Sequence, residues 1–253
     1  MTEPSLQAAA PAVLCALRLL PVAMTSPFLG GPLVPAPVRA GLALLLGACA
    51  ARLTGARAPD GLAACGSAAA LELATGAVLA LLAAIPVEAA RAAGRLADTS
   101  RGATLAELHV APIRQRESAA GDLLAHWAVV LAAWAGADRL LLRGLLGSFG
   151  ALPPGAPFSP ALAGELALRG MTELAACAVM LSAPAAAGVL AADLALGLGA
   201  RASPAIAVSG AGPQARAALG LGLLAAGAAA VAGRLVALVA SSAAAVETLG
   251  GGP

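Results

Sequence analysis

The side chains that could do chemistry are few. All fifteen cationic side chains are arginine and there is no lysine, so Schiff-base and lysine general-base chemistry are excluded. His109 and His126 have no cysteine or acidic set near them at metal-ligand spacing. Cys15, Cys49, Cys65 and Cys177 are scattered without a CxxC and read as small packed hydrophobes rather than ligands or disulfides. Ser209, in AVSGAG, faintly suggests an intramembrane serine nucleophile. Its histidine base would have to come from upstream, and no GxSG is present. The expectation is a chain with no enzymatic activity, no metal and no cofactor.

The remaining chemistry is charge set in apolar surroundings. Residues 91–121, RAAGRLADTSRGATLAELHVAPIRQRESAAG, hold Arg91, Arg95, Arg101, Arg114 and Arg116 with Asp98, Glu107 and Glu117. A segment this polar cannot sit in hydrocarbon unless it lines water or protein. A solvated cytoplasmic loop is the plain reading of it. Glu72, Glu88, Asp138, Glu165, Glu173, Asp193 and Arg234 lie inside otherwise apolar runs. Each is costly at mid-bilayer and must face protein or water. An ion or proton pathway, as in a small secondary transporter, is one explanation. The other is burial against partner subunits, or helices that enter the bilayer only in part. Nearby opposite charges (Glu88/Arg91, Asp138/Arg139, Glu165/Arg169) suit structural neutralisation.

The elements that must position these charges are helices. Of 253 residues, 60% are hydrophobic and 11% charged, with mean hydropathy +0.90, against about 25% charged in a soluble domain. So little polar surface means a membrane or membrane-assembly protein. There is no tyrosine, and with 2% aromatics an aromatic belt is nearly absent, so Trp127 and Trp134 mark no interface by themselves. The N-terminus does not read as a signal peptide: Glu3 stands where a basic region is needed, and Arg18 and Pro21 interrupt the first apolar run.

Apolar runs cover 8–24, 38–53, 62–90, 123–147, 161–200 and 217–246, separated by Pro- and Gly-rich or polar stretches. The reading is all-α: one domain over 1–253, with about six apolar segments and no convincing repeat. The second run is short for a span of about 20 residues. Small residues recur along the helices and would let backbones pack closely. Asp193 and Arg201, about two turns apart on one side of a helix that Pro204 would end, are expected to be buried at a contact with a partner subunit or another helix of the chain. The net charge of +2 says little about partners, and no nucleic acid is expected.

Several motifs occur in an order that resembles the FliR/SctT family of export-gate subunits, over residues 17–224. PFLGGPLVPAPVRAGLALLL (27–46) is similar to that family's Pro/Gly turn, Arg and apolar helix, with Arg39 as the Arg. ELATG (72–76) resembles its Glu-x-x-x-Gly, led by Glu72. GRLADTSRGAT (94–104) resembles the virulence-type pattern, with Gly94, Asp98, Arg101 and Gly102. GADRLLLRGLLGSFGALPPG (136–155) is similar to the Gly-rich turn, Leu run and Ser-Phe-x-x-x-Pro loop. DLALGLGARASP (193–204) sets Asp193, Gly197, Arg201 and Pro204 in register. Beyond Pro204 a Gln/Asn pair of the family is absent, and Arg216 stands where the family has Lys.

The resemblance implies helical hairpins joined to several copies of two smaller subunits in a closed helical hetero-oligomer, in or above a bacterial inner membrane. It implies passage of unfolded secretion substrates through a central pore. The loop around Gly94, Asp98, Arg101 and Gly102, roughly 94–116, would plug that pore. Arg39, Glu72, Asp193, Arg201, Pro204 and Arg216 would serve structure and assembly. Besides these subunits, other export components and membrane lipid are the implied partners.

Overall fold

The structure is a computed structural model and describes residues 3–29, 34–57, 59, 61–102, 118–156, 159–202 and 211–249. Among these there are eight α-helices, one short 3-10 turn (Pro27–Leu29) and no strand. The helices are α1 Glu3–Thr25, α2 Ala36–Thr54, α3 Leu62–Ser100, α4 Ala119–Trp134, α5 Ala137–Ala151, α6 Pro160–Ala202, α7 Ala211–Ala226 and α8 Ala228–Leu249.

The six apolar runs become eight helices because glycine breaks two of them. Gly136 adopts φ 78°, a left-handed conformation that costs glycine nothing, and ends the fourth run's first helix. Gly227 separates α7 from α8. Prolines inside α3 (Pro86) and α6 (Pro184) do not end those helices. Three helices, α2, α3 and α6, are long and apolar enough to cross a membrane, and α7 with α8 could form a fourth, broken span. At 39 and 43 residues, α3 and α6 are about 58 and 64 Å long. A hydrocarbon core is about 30 Å thick, so each is long enough to cross and still project beyond it.

The chain divides into two compact units. One comprises Met1–Ile85, Ala132–Met171 and Val239–Pro253; the other comprises Pro86–Leu131 and Thr172–Leu238. Since their segments interleave, neither unit is a separable stretch of sequence.

In the first unit the backbones of α1, α2 and α3 nearly touch. A Cβ on Gly47 of α2 would lie 2.5 Å from the Ala16 nitrogen, and one on Gly76 of α3 would lie 2.2 Å from the Arg18 carbonyl oxygen. Leu19, Leu79, Leu82 and Leu145 are fully buried around this contact, each stabilising by about 1.5–3 kcal/mol relative to exposure. In the second unit Ala90, Ala93 and Ala97 of α3 pack with Leu124 and Ala128 of α4, Leu181 and Ala185 of α6, and Leu224 of α7. Gly188 of α6 meets the Leu219 carbonyl of α7, where a Cβ would stand 2.6 Å away. The small-residue faces legible in the sequence are thus used for close helix contact.

Candidate functional site: two buried carboxylates at helix junctions

Glu72 sits on α3 facing α1, one turn before Gly76. The glycine lets the α1 backbone come close, and Arg18 of α1 then reaches the carboxylate. Arg18 Nε donates to Glu72 Oε2 at 2.6 Å and Nη2 to Oε1 at 2.9 Å. Nη1 donates to the Ser148 carbonyl at 3.0 Å and to Ser148 Oγ at 3.3 Å, and Nη2 also to the Leu152 carbonyl at 2.9 Å. A guanidinium has five N–H donors, and all five have an acceptor here. The Gly155 N–H donates to Glu72 Oε1 at 2.8 Å, and the Phe149 ring lies 4.4 Å from the guanidinium carbon.

Both charged side chains are 1% exposed. A pair so deep persists only with its remaining donors and acceptors satisfied, and SFGALPPG supplies those partners. Cys15, buried on α1 near the pair, has its thiol pushed up to about 11. The main cause is burial; the Glu72 charge adds to it and Arg18 opposes it.

Asp98 forms the second junction, in the other unit. It lies in the last turn of α3 and is 2% exposed. Its Oδ1 accepts from Arg101 Nε at 2.9 Å and from Arg101 Nη2. Its Oδ2 accepts the Ala120 N–H at 3.0 Å. Ala120 is the second residue of α4, whose first N–H groups have no partner within the helix. Ser118 caps the same helix, its Oγ accepting the Gly121 N–H at 2.9 Å. Gly94 permits the approach: a Cβ there would lie 2.4 Å from the Ala120 carbonyl.

These positions correct part of the sequence reading. Gly94 and Asp98 are not in a loop, because α3 continues ten residues past the apolar run, to Ser100. Gly94 serves a helix crossing. Gly102, at φ 74°, is the left-handed residue after the helix. Asp98 and Arg101 form an ion pair within the end of α3 and the turn that follows it. The remainder of the expected plug, 103–116, lies outside the described residues.

The other expected residues are more scattered. Arg39 of α2 donates from Nη1 to the Met24 carbonyl at 2.7 Å, satisfying one of the carbonyls left over at the end of α1. Asp193 of α6 pairs with Arg216 of α7, not with Arg201, and the two side chains are 40% and 44% exposed. Arg201 is exposed in the last turn of α6, a favourable place for a cation. Asp193 thus meets another helix of the chain through Arg216, at a place open to solvent in this single chain. An exposed pair such as Asp193–Arg216 contributes about 0–1 kcal/mol. α6 ends at Ala202, and Pro204 itself lies outside the described residues. Glu88–Arg91 and Glu165–Arg169 form ion pairs, whereas no Asp138–Arg139 pair forms. Consecutive helical residues point in different directions.

The residue that sequence reasoning missed is Arg18. It was legible only as an interruption of an apolar run, since its carboxylate is 54 residues away.

Long apolar helices whose charges are neutralised where helices meet define a helical membrane protein. The family model for bacterial export proteins, family 1, matches residues 9–241, and the chain belongs to that family. It is a component of a bacterial protein export apparatus, working with other export proteins. No curated protein matches the chain.

Proposed function

We propose that this chain is a non-enzymatic, pore-forming subunit of a type III secretion export gate, multi-pass in the bacterial inner membrane. In this reading it joins several copies of two smaller gate subunits, and unfolded secretion substrates pass through the assembled pore. The segment SRGAT, beginning at Ser100, favours the virulence branch over the flagellar one. The segment between Gly102 and Ser118 plugs the pore when the gate is idle.

The observation that carries this reading is the double role of Asp98. One oxygen holds Arg101, just before the segment, and the other holds the Ala120 N–H, just after it. A buried carboxylate thus ties both ends of a 15-residue polar stretch to one point. Such a fixed base suits a plug that must return to the same place after each substrate. It also dictates where the test should cut: Asp98 belongs to the helix junction, so a deletion must begin after it.

Removing residues 104–114 from the full gate in cells should leave the complex assembled and make the membrane leaky to ions and small solutes. An assembled complex in a tight membrane would return the segment to the status of a solvated linker.

A further inference from the structure

The two faces of α5 carry different demands. Its inner face, with Ala137, Leu141, Leu145, Ser148 and Phe149, is buried. Ser148 and Phe149 are committed to Arg18, so the helix cannot roll about its axis. Its outer face is thereby fixed too.

That outer face carries Arg139 and Arg143, one turn apart and both exposed. Five other arginines have a carboxylate partner; these two have none among the described residues. Just before α5, Trp134 is 84% exposed, and the turn at Gly136 follows it. Tryptophan favours the headgroup level of a membrane, where its ring is half in apolar surroundings and its N–H is wet. Arginine with a free guanidinium suits phosphate beside it, through paired N–H donors.

We propose that Trp134, Arg139 and Arg143 form a binding surface for the headgroups of anionic lipid. The charge decides between occupants. A protein docking here would bury two arginines and must bring carboxylates to meet them. An anionic membrane surface meets both without desolvating either. Each such arginine enriches acidic lipid about fivefold. The surface would hold α5, and through Arg18 the junction beneath it, at a set depth.

Trp127 and Trp134 are the protein's only two tryptophans, so a Trp127→Phe variant of the full chain reports on Trp134 alone. It is reconstituted in phosphatidylcholine bilayers containing a minority of phosphatidylglycerol, with one lipid or the other brominated near the headgroup end of its chains. Per mole of brominated lipid, phosphatidylglycerol should quench Trp134 more strongly, and Arg139→Gln/Arg143→Gln should abolish that preference. Native mass spectrometry of the unaltered chain should show retained phosphatidylglycerol that the same double variant loses.

Equal quenching by both lipids, no quenching by either, or a preference indifferent to the double variant would overturn the proposal. So would loss of quenching when the chain is reconstituted with the other export proteins, because a protein would then cover this face.

Discussion

Glu72→Ala tests the junction on which the first unit is built. The substitution leaves the Arg18 guanidinium 1% exposed and removes the acceptors of its Nε–H and of one Nη2–H. It also strips the Gly155 N–H of its acceptor. Breaking a buried pair by removing one member costs about 3–5 kcal/mol, and an orphaned backbone donor about 1 kcal/mol more. For a chain of this length each kcal/mol lowers Tm by about 2–4 °C, so a fall of about 10 °C or more is expected.

The assay is the fraction of purified protein that survives size-exclusion chromatography after heating in detergent. Glu72→Ala is compared with Arg18→Met/Glu72→Leu. The double variant removes both charges and leaves only neutral groups unsatisfied, chiefly the Ser148 and Leu152 carbonyls and the Gly155 N–H. It should therefore lie closer to wild type than Glu72→Ala, although it carries one more change. A Glu72→Ala protein within about 2 °C of wild type, or a double variant as unstable as the sum of its singles, would refute the reasoning.

Glycine contact and thiol burial give two further outcomes. Gly76→Ala puts a methyl 2.2 Å from a backbone oxygen and should prevent recovery of folded protein. Gly41→Ala in α2 meets nothing within 4 Å and should stabilise by about 0.5–1 kcal/mol; expression yield and thermal survival check both. Cys15 should resist alkylation at pH 8 while exposed Cys49 reacts, read by mass spectrometry. With its pKa raised from 9.0 to about 11, the folded protein holds this proton more tightly than the unfolded chain. Its contribution is therefore present below pH 9 and lost as pH rises toward 11, a decline that Cys15→Ala should remove.

Helix content, helix number to within two, and the i, i+3 and i, i+4 ion pairs were legible in the sequence because each depends on neighbours along one helix. Glu72 and Gly76 were legible as a motif, but not the reason for the spacing. Four residues place the carboxylate and the gap it needs on the same face of α3. Arg18 was illegible because its partners come from α3, α5 and the turn after α5, and nothing local announces such a meeting. The ion-pair partner of Asp193 was illegible for a related reason. Arg201 shares its helix, but the ion pair is made with Arg216 of the next helix.

Charges within apolar runs admitted two explanations, a conduction pathway or structural neutralisation, and the geometry of Glu72 and Asp98 bears on the choice. A carboxylate that passes ions or protons needs an oxygen free to exchange partners. Glu72 accepts from two Arg18 nitrogens and the Gly155 N–H. Asp98 accepts from two Arg101 nitrogens and the Ala120 N–H. The pattern is the same at both: one arginine, and one backbone N–H from where another helix begins or has just ended. An arginine neutralises the charge, and the N–H fixes the chain's course at a turn. Such carboxylates lock helices to loops. Glu72 fixes the turn after α5 against α1 and α3, and Asp98 fixes the start of α4 against the end of α3.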